Sequence, residues 1–134
     1  KYGNWPNSGE IDVLEHVGFE EGHVVSSVHN IAHHGDLSRS DQTKYVMAKD
    51  VVNSFNDYVL EWDEKEIKTF INDKLIFSYP KNDQPWERWP FDEKFHFILN
   101  IAIGGNWGGM KGIDDAAFPT KMEIEHFRVY KKNT

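Results

Sequence analysis

The sequence predicts an all-β protein, an antiparallel β-sandwich or part of one, and three observations lead to that prediction. Several segments alternate apolar and polar residues with a period of two. Turn-forming residues separate these segments, and helical periodicity is weak throughout. The predicted strands cover residues 10–15, 24–29, 58–62, 67–71, 75–79, 95–103 and 122–130.

The turns between the predicted strands follow from residue type. Asn72 and Asp73 lie between two strands, and both residue types tolerate positive φ, so we expect a tight hairpin there. Residues 63–65 predict another hairpin one strand earlier. Residues 43–55 are ambiguous, because one helical turn fits the pattern but the three valines favour strand.

Composition excludes several classes of protein. The 134 residues are enough for one domain. The chain has 15 Lys and Arg against 22 Asp and Glu, a formal charge of −7, which argues against nucleic acid or an anionic membrane as partner. With no Cys, a disulfide framework and a thiolate zinc site are excluded. No apolar run approaches the ~20 residues of a membrane helix.

Three acids in the first predicted strand form the candidate site. In a regular strand Glu10 and Asp12 would share a face and Glu15 would point the other way. One extra residue at positions 13–14, a β-bulge, would bring Glu15 onto the same face. The two Glu carboxyl groups would then lie about 5 Å apart, close to the ~5–5.5 Å of a retaining glycosidase.

Acids this close together cannot all ionise cheaply, so one should keep a proton beside a carboxylate. That pairing suits a general acid next to a nucleophile. The alternative is three solvated acids on an exposed strand, since Asp and Glu are common on outer faces. Against this alternative, acids are depleted in strands, and apolar residues alternate with these three.

Residues 5–15, Trp-Pro-Asn-Ser-Gly-Glu-Ile-Asp-Val-Leu-Glu, resemble the catalytic signature of glycoside hydrolase family 16. The match is to the bulged form, which is typical of laminarinase-like endo-β-1,3-glucanases and of agarases and carrageenases. The resemblance continues in the family's order through residues 58–62, 67–73, 98–107 and 125–130. The chain therefore resembles a laminarinase over most of its length.

The resemblance implies a jelly roll of the concanavalin A-like lectin and glucanase type, with a concave sheet that forms a sugar cleft. By matching position, Glu10 would be the nucleophile, Glu15 the general acid/base and Asp12 the residue that orients Glu10. The reaction would be retaining hydrolysis through a glycosyl-enzyme intermediate, with no cofactor required for the chemistry. His29 matches a histidine that lines the leaving-group side of the cleft.

Sugar rings present apolar C–H faces, so exposed aromatic side chains are expected in a polysaccharide cleft. Trp5, in the loop before the acid strand, is expected there. For Trp107, stacking on sugar and capping the core remain equal alternatives. Asn100 would contact sugar hydroxyls or satisfy a backbone group. Trp62, on a hairpin strand, is expected in the core.

No metal site is predicted from the histidines. His33 and His34 are adjacent on extended chain and point to opposite sides, so they cannot chelate one ion together. Structural calcium is a separate question, because the resemblance implies a Ca²⁺ on the convex face of many relatives. Glu125 stands where Asp is usual, which leaves calcium open.

The chain, residues 1–134, is expected to be the C-terminal part of a single jelly-roll catalytic domain. Such sandwiches run roughly 200–250 residues, yet the acid motif lies at residue 10. The expected partner is therefore the missing N-terminal half of the same domain. The chain starts without Met, so a leader has been removed or the chain is a segment of a longer protein. We expect a secreted, extracellular protein.

The predicted substrate is a β-1,3-linked glucan such as laminarin. The bulge argues against a mixed-linkage lichenase, and the net charge of −7 argues against sulfated galactans, which favour basic contacts. The alternatives are a relative acting on agarose, carrageenan or mixed-linkage glucan, and a non-catalytic β-glucan-binding module. Endo and exo action are not distinguished, although the resemblance is to endo enzymes.

Overall fold

The computed structural model describes residues 1–35, 42–48 and 50–131 and divides into two units, Lys1–Phe97 and Ile98–Thr134. The first unit holds six strands, which confirm five predicted strands to within a residue at each end. The ambiguous residues 43–55 begin with a strand. The strands are β1 Glu10–Glu15, β2 His23–His29, β3 Thr43–Met47, β4 Tyr58–Trp62, β5 Glu66–Ile71 and β6 Lys74–Pro80.

The six strands form two antiparallel sheets, in the orders β1-β2-β3 and β4-β5-β6. Each sheet places alternate apolar side chains in one shared core, so the two sheets pack against each other. The predicted all-β sandwich class is confirmed. The buried core consists of Val24, Val28, Ile67, Ile71, Ile76, Phe77, Tyr79, Trp89 and Phe91.

Both predicted hairpins are confirmed in the second sheet. Asn72 and Asp73 connect β5 to β6 with φ of 48° and 65°, the left-handed conformation that tight hairpin turns require. Asp63 begins the turn between β4 and β5. Its Oδ1 accepts hydrogen bonds from the main-chain N–H of Lys65 at 2.8 Å and of Glu66 at 3.1 Å.

The predicted bulge in β1 is present. From Asp12 to Glu15 the chain advances three residues, while its partner strand advances only two, from Ser27 to Val25. The extra residue reverses the alternation of side chains along the rest of β1. Glu15, which a regular strand would place on the face opposite to Glu10 and Asp12, therefore shares their face.

Two buried hydroxyl groups hold the bulge. Ser26 Oγ donates a hydrogen bond to the main-chain carbonyl of Asp12 at 2.8 Å and lies 2.8 Å from Thr69 Oγ1 on β5. Neither hydroxyl residue is exposed. On the core side of β1, Ile11 and Leu14 pack against the buried residues of the sandwich. The bulge is thus fixed from within the sandwich, by polar and apolar contacts together.

Gly9, directly before β1, permits a backbone that another residue would strain. Its φ is +78°, and an added Cβ would lie 2.6 Å from Pro90 Cγ and 3.0 Å from Phe91 Cε1. We expect Gly9→Ala to lower the free energy of unfolding by about 2–4 kcal/mol, since positive φ and overpacking both cost. The measurement is the urea unfolding midpoint. Gly18→Ala is the control, because nothing lies within 4 Å of its added Cβ; equal midpoints would contradict the prediction.

The second unit is described by itself. Within residues 98–131 the single regular element is a 3₁₀ helix, Asp115–Ala117, whose first turn is capped by the Asp114 carboxylate accepting from Ala116 N–H. Its many large apolar side chains are exposed. Nowhere in the described ranges is a helix long and apolar enough to cross a membrane.

Three expectations are wrong. Residues 95–103 and 122–130 are not strands, and Asn100, which lies in the first of these segments, is exposed. Both segments have β-forming composition, but a strand also needs a neighbour to pair its N–H and C=O groups, and no described strand provides one. Trp62 is on the same side of β4 as Tyr58 and Leu60, which pack against the core, but at the end of the strand it is 37% exposed. Its ring lies edge-on to Phe95, with centroids 5.3 Å apart.

Candidate active site

The acids of β1 face alternate residues of β2. The bulge brings all three onto one face, and their partners on β2 are separated by regular steps of two. The opposed pairs are Glu10 with His29, Asp12 with Ser27 and Glu15 with Val25. The other face of β2 contributes Val24 and Val28 to the core. One strand pair therefore separates the apolar interior from a row of ionisable groups.

Asp12 is the centre of this row. Its Oδ2 lies 3.2 Å from His29 Nε2 and accepts a hydrogen bond from Ser27 Oγ at 3.1 Å. The main-chain N–H of Gly35 donates to His29 Nδ1 at 3.3 Å, so in the neutral ring Nε2 carries the proton. The hydrogen bond that His29 donates to Asp12 raises the pKa of His29, against the opposing effect of burial.

Glu10 is held from the preceding loop. The indole N–H of Trp5 donates to Glu10 Oε2 at 2.6 Å. Burial raises the pKa of Glu10, and the charge of Asp12 raises it further, while the Trp5 hydrogen bond and His29 act in the opposite direction. Trp5 itself is 52% exposed, and its ring lies edge-on to His34 at 5.2 Å. The indole therefore presents an apolar face to solvent directly beside a carboxylate.

Glu15 occupies the less polar end of the row. Burial, followed by the charge of Asp12, raises the pKa of Glu15 to about 7. Its contact with Ser27 Oγ is 3.4 Å, long for a hydrogen bond to a carboxylate. Near neutral pH, Glu15 can therefore hold a proton that it can donate. Unequal environments for neighbouring carboxyl groups are the usual way to obtain an acid and a nucleophile from one residue type.

Three of these side chains lie close enough to hold a metal ion. The ligand atoms of Glu10, Asp12 and His29 all lie within 4.8 Å of one another. However, Trp5 already donates to Glu10, while Ser27 donates to Asp12 and His29 lies beside it. These donors explain the cluster as a hydrogen-bonded set, so we assign no metal to it. In the second unit, His126 Nδ1 lies 3.7 Å from Glu125 Oε2, and calcium at Glu125 stays an open prediction.

The structure brings together five of the seven predicted site residues: Trp5, Glu10, Asp12, Glu15 and His29. Asn100 and Trp107 belong to the second unit, where Asn100 is exposed and Trp107 is half-buried in a glycine-rich turn, so their placement in a cleft stays a prediction. Sequence reasoning missed Ser27. The available signal was its position two residues before His29, on the same face of β2.

This chain is similar to known proteins in sequence and to a solved structure in fold. The β-glucanase of Rhodothermus marinus is 38% identical over 132 residues, covering 95% of this chain and 46% of that protein. The keratan-sulfate endo-1,4-β-galactosidase of Sphingobacterium multivorum is 32% identical, covering 97% of this chain and 30% of that protein. The crystal structure of the laminarinase from Rhodothermus marinus superposes with a TM-score of 0.82 at 39% identity, covering 89% of this chain and 50% of that chain.

The chain thus spans about half the length of these relatives, or less. The family model described as glycosyl hydrolases family 16 matches residues 2–126, almost the whole chain. The acid strand, the bulge and the neighbouring histidine all lie inside the matched region. The resemblance seen in residues 5–15 is confirmed, and the chain belongs to glycosyl hydrolases family 16.

Proposed function

We propose that this chain carries the catalytic acids of a retaining endo-hydrolase that cleaves β-1,3 linkages in glucan. The observation that carries the proposal is the bulge, which sets Glu10, Asp12 and Glu15 on one face of β1. Family membership supports the same chemistry. The pKa of Glu15, raised to about 7, supports its role as the proton donor.

Each acid has a role in a two-step displacement. Glu10, ionised, attacks the anomeric carbon while Glu15 donates its proton to the departing glycosidic oxygen. A covalent glycosyl-enzyme forms. In the second step Glu15, now a carboxylate, removes a proton from water, and the water oxygen displaces Glu10. Asp12 is held by Ser27 and His29, and it orients the row without entering either bond change. Trp5 supplies an exposed ring for stacking on sugar.

The proposed substrate is laminarin-like β-1,3-glucan. A β-glucanase and a laminarinase at 38% and 39% identity support it. The chain's formal charge of −7 also favours a neutral polymer over a sulfated one. The relative that acts on keratan sulfate favours a second candidate, a galactan hydrolase, at lower identity. An extracellular location accompanies either proposal, because polymers of this size do not enter cells intact.

We also propose that the chain acts together with the residues that precede the corresponding region in its relatives. The 50% coverage of the laminarinase structure supports this. So do the second unit's exposed apolar side chains, which a neighbouring strand would cover. These exposed residues include Ile98, Leu99, Ile101, Ile103, Phe127, Val129 and Tyr130. By itself the chain should therefore be inactive and prone to associate.

The test compares three proteins: the chain alone, the product of the complete open reading frame that encodes it, and a chimera preceded by the N-terminal half of the R. marinus β-glucanase. Each is assayed on laminarin, lichenan, agarose, carrageenan and keratan sulfate. We expect the second and third proteins, but not the chain alone, to cut laminarin into oligosaccharides with retained anomeric configuration. Either of these two longer proteins is called the completed domain.

Two results would overturn these proposals separately. Full activity of the chain alone as a stable monomer on size exclusion would contradict the need for a partner segment. Binding of laminarin by the completed domain without turnover would favour a β-glucan-binding module over an enzyme. Preferred cleavage of keratan sulfate or agarose would retain the enzyme and replace the substrate.

A further inference from the structure

Ser27 lies between two acids, and the proposed mechanism gives it no role beyond holding Asp12. Its side chain is fully buried on the site face of β2. Its Oγ lies 3.1 Å from Asp12 Oδ2 and 3.4 Å from Glu15 Oε2, and His29 Nε2 is a third neighbour at 3.4 Å. No other described side chain hydrogen-bonds to Asp12 and Glu15 together.

A hydroxyl group has one proton, so it can donate to one of these carboxylates at a time. The shorter contact places the proton on the Asp12 side when Glu15 is protonated and needs no donor. When Glu15 becomes a carboxylate, rotation about the Cβ–Oγ bond can point the same proton at Glu15 Oε2. In that second state His29 Nε2–H, 3.2 Å from Asp12 Oδ2, still donates a hydrogen bond to Asp12, so Asp12 keeps a donor.

We propose that Ser27 is a positioning residue. Its hydroxyl group donates a hydrogen bond to Asp12 while Glu15 is protonated, and donates it to Glu15 instead once Glu15 has given up its proton. No covalent bond changes, because only the hydroxyl rotor turns. The switch stabilises the carboxylate that the first chemical step creates and keeps both carboxyl groups in fixed orientations. The contribution of this switch to catalysis rests on the proposed function, whereas the change of hydrogen-bond partner does not depend on it.

Other groups also act on Glu15 and must be kept constant in a test. Glu10 and Asp12 on β1 and His29 on β2 influence its pKa, and Tyr45 on the adjoining β3 interacts with it electrostatically. The hydrogen bond from Ser27 lowers the pKa of Glu15, whereas Asp12 and Glu10 raise it. Removing the Ser27 hydroxyl should therefore raise the pKa of Glu15 while leaving these four neighbours in place.

The experiment titrates the glutamate carboxyl carbons of the completed domain by NMR, with Glu15 assigned from the signal that Glu15→Gln removes. We expect Ser27→Ala to raise the pKa of Glu15 by about 0.5 or more, as loss of a hydrogen bond to the charged form requires. In the pH profile of kcat, the decline on the alkaline side should shift to higher pH along with this pKa. The maximal kcat should fall about tenfold with little change in KM. Ser27→Thr, which keeps the hydroxyl group, should restore the pKa of Glu15 and kcat.

Ser26→Ala is the matched control, because Ser26 is equally buried and adjacent but its hydroxyl contacts a main-chain carbonyl and Thr69, not a carboxylate. It should lower stability, and it should change the pKa of Glu15 less than Ser27→Ala does, because Ser26 makes no hydrogen bond to the Glu15 carboxylate. Should Ser27→Ala fail to fold, the isosteric pair Ser27→Thr and Ser27→Val makes the same comparison. An unmoved Glu15 pKa, or an equal movement in Ser26→Ala, would overturn the inference. A pKa change in a protein without hydrolytic activity would instead reject the proposed function alone.

Discussion

Glu10→Gln in the completed domain should lower kcat on laminarin by roughly 10⁴-fold or more, since an amide cannot replace the carboxylate nucleophile in a covalent mechanism. The change keeps the size of the side chain and its capacity to accept a hydrogen bond from Trp5. Folding should therefore be retained. Initial rates of reducing-sugar release from laminarin measure the effect, with thermal unfolding as the check on structure.

The same variant should change the titration of its neighbour. The charge of Glu10 contributes to the raised pKa of Glu15, so its removal should lower the pKa of Glu15 below the parent value of about 7. Glu21→Gln is the control, because it makes the same chemical change on an exposed turn. A Glu10→Gln protein with a tenth or more of the parent kcat would remove Glu10 from the mechanism.

Glu15→Gln should lower kcat on laminarin by about 10²–10⁴-fold, the range expected when a general acid is lost. The loss should depend on the leaving group. An aryl glucoside with an acidic phenol departs without protonation, so its glycosylation step should survive in Glu15→Gln and fail in Glu10→Gln. A burst of phenol release, measured by stopped-flow absorbance, distinguishes the two acids. Equal loss on both substrates would contradict the assignment of Glu15 as acid.

The raised pKa of Glu15 also sets the pH dependence. Because the acid must be protonated, hydrolysis should decline as pH rises through about 7. Stability should follow the same direction, since the folded protein holds this proton more tightly than the unfolded chain, where Glu titrates near its ordinary pKa of about 4.3. The contribution is fully present below that value and is lost as pH rises through about 7.

Glu15→Gln removes the cost of ionising a largely buried carboxyl. Above pH 7 the variant should therefore be more stable than the parent by on the order of 2 kcal/mol, a figure already reduced for partial solvent access. Below pH 4 the two should unfold at similar urea concentrations. A variant that is less stable than the parent at pH 8 would show that burial is not what raises this pKa.

Much of the first unit follows from local chemistry. The two hairpins were predictable because Asn72, Asp73 and Asp63 each have a specific turn geometry available. The bulge in β1 was predictable because an unbulged strand would have buried Glu15 in the core or exposed its apolar neighbours. In both cases a few adjacent residues determine the outcome, so a linear pattern carries enough information.

The second unit shows the limit of that reasoning. Residues 95–103 and 122–130 have the composition of strands, but composition supplies only a preference for extended backbone. Pairing depends on a second strand, and a segment's own sequence does not say whether that strand is present beside it. The same limit applies to Trp62, because its alternation indicates the core side of β4, but the extent to which other residues cover its ring depends on the packing around the end of the strand.

The linear sequence was sufficient to identify the acid strand, its bulge and the family, because these depend on residue type and spacing within fifteen positions. Only the tertiary structure placed Ser27 between Asp12 and Glu15, hydrogen-bonded Trp5 to Glu10, and fastened the bulge from the opposite sheet. These contacts join residues up to 43 positions apart. Their energies depend on burial and distance, which exist only after the sheets have packed.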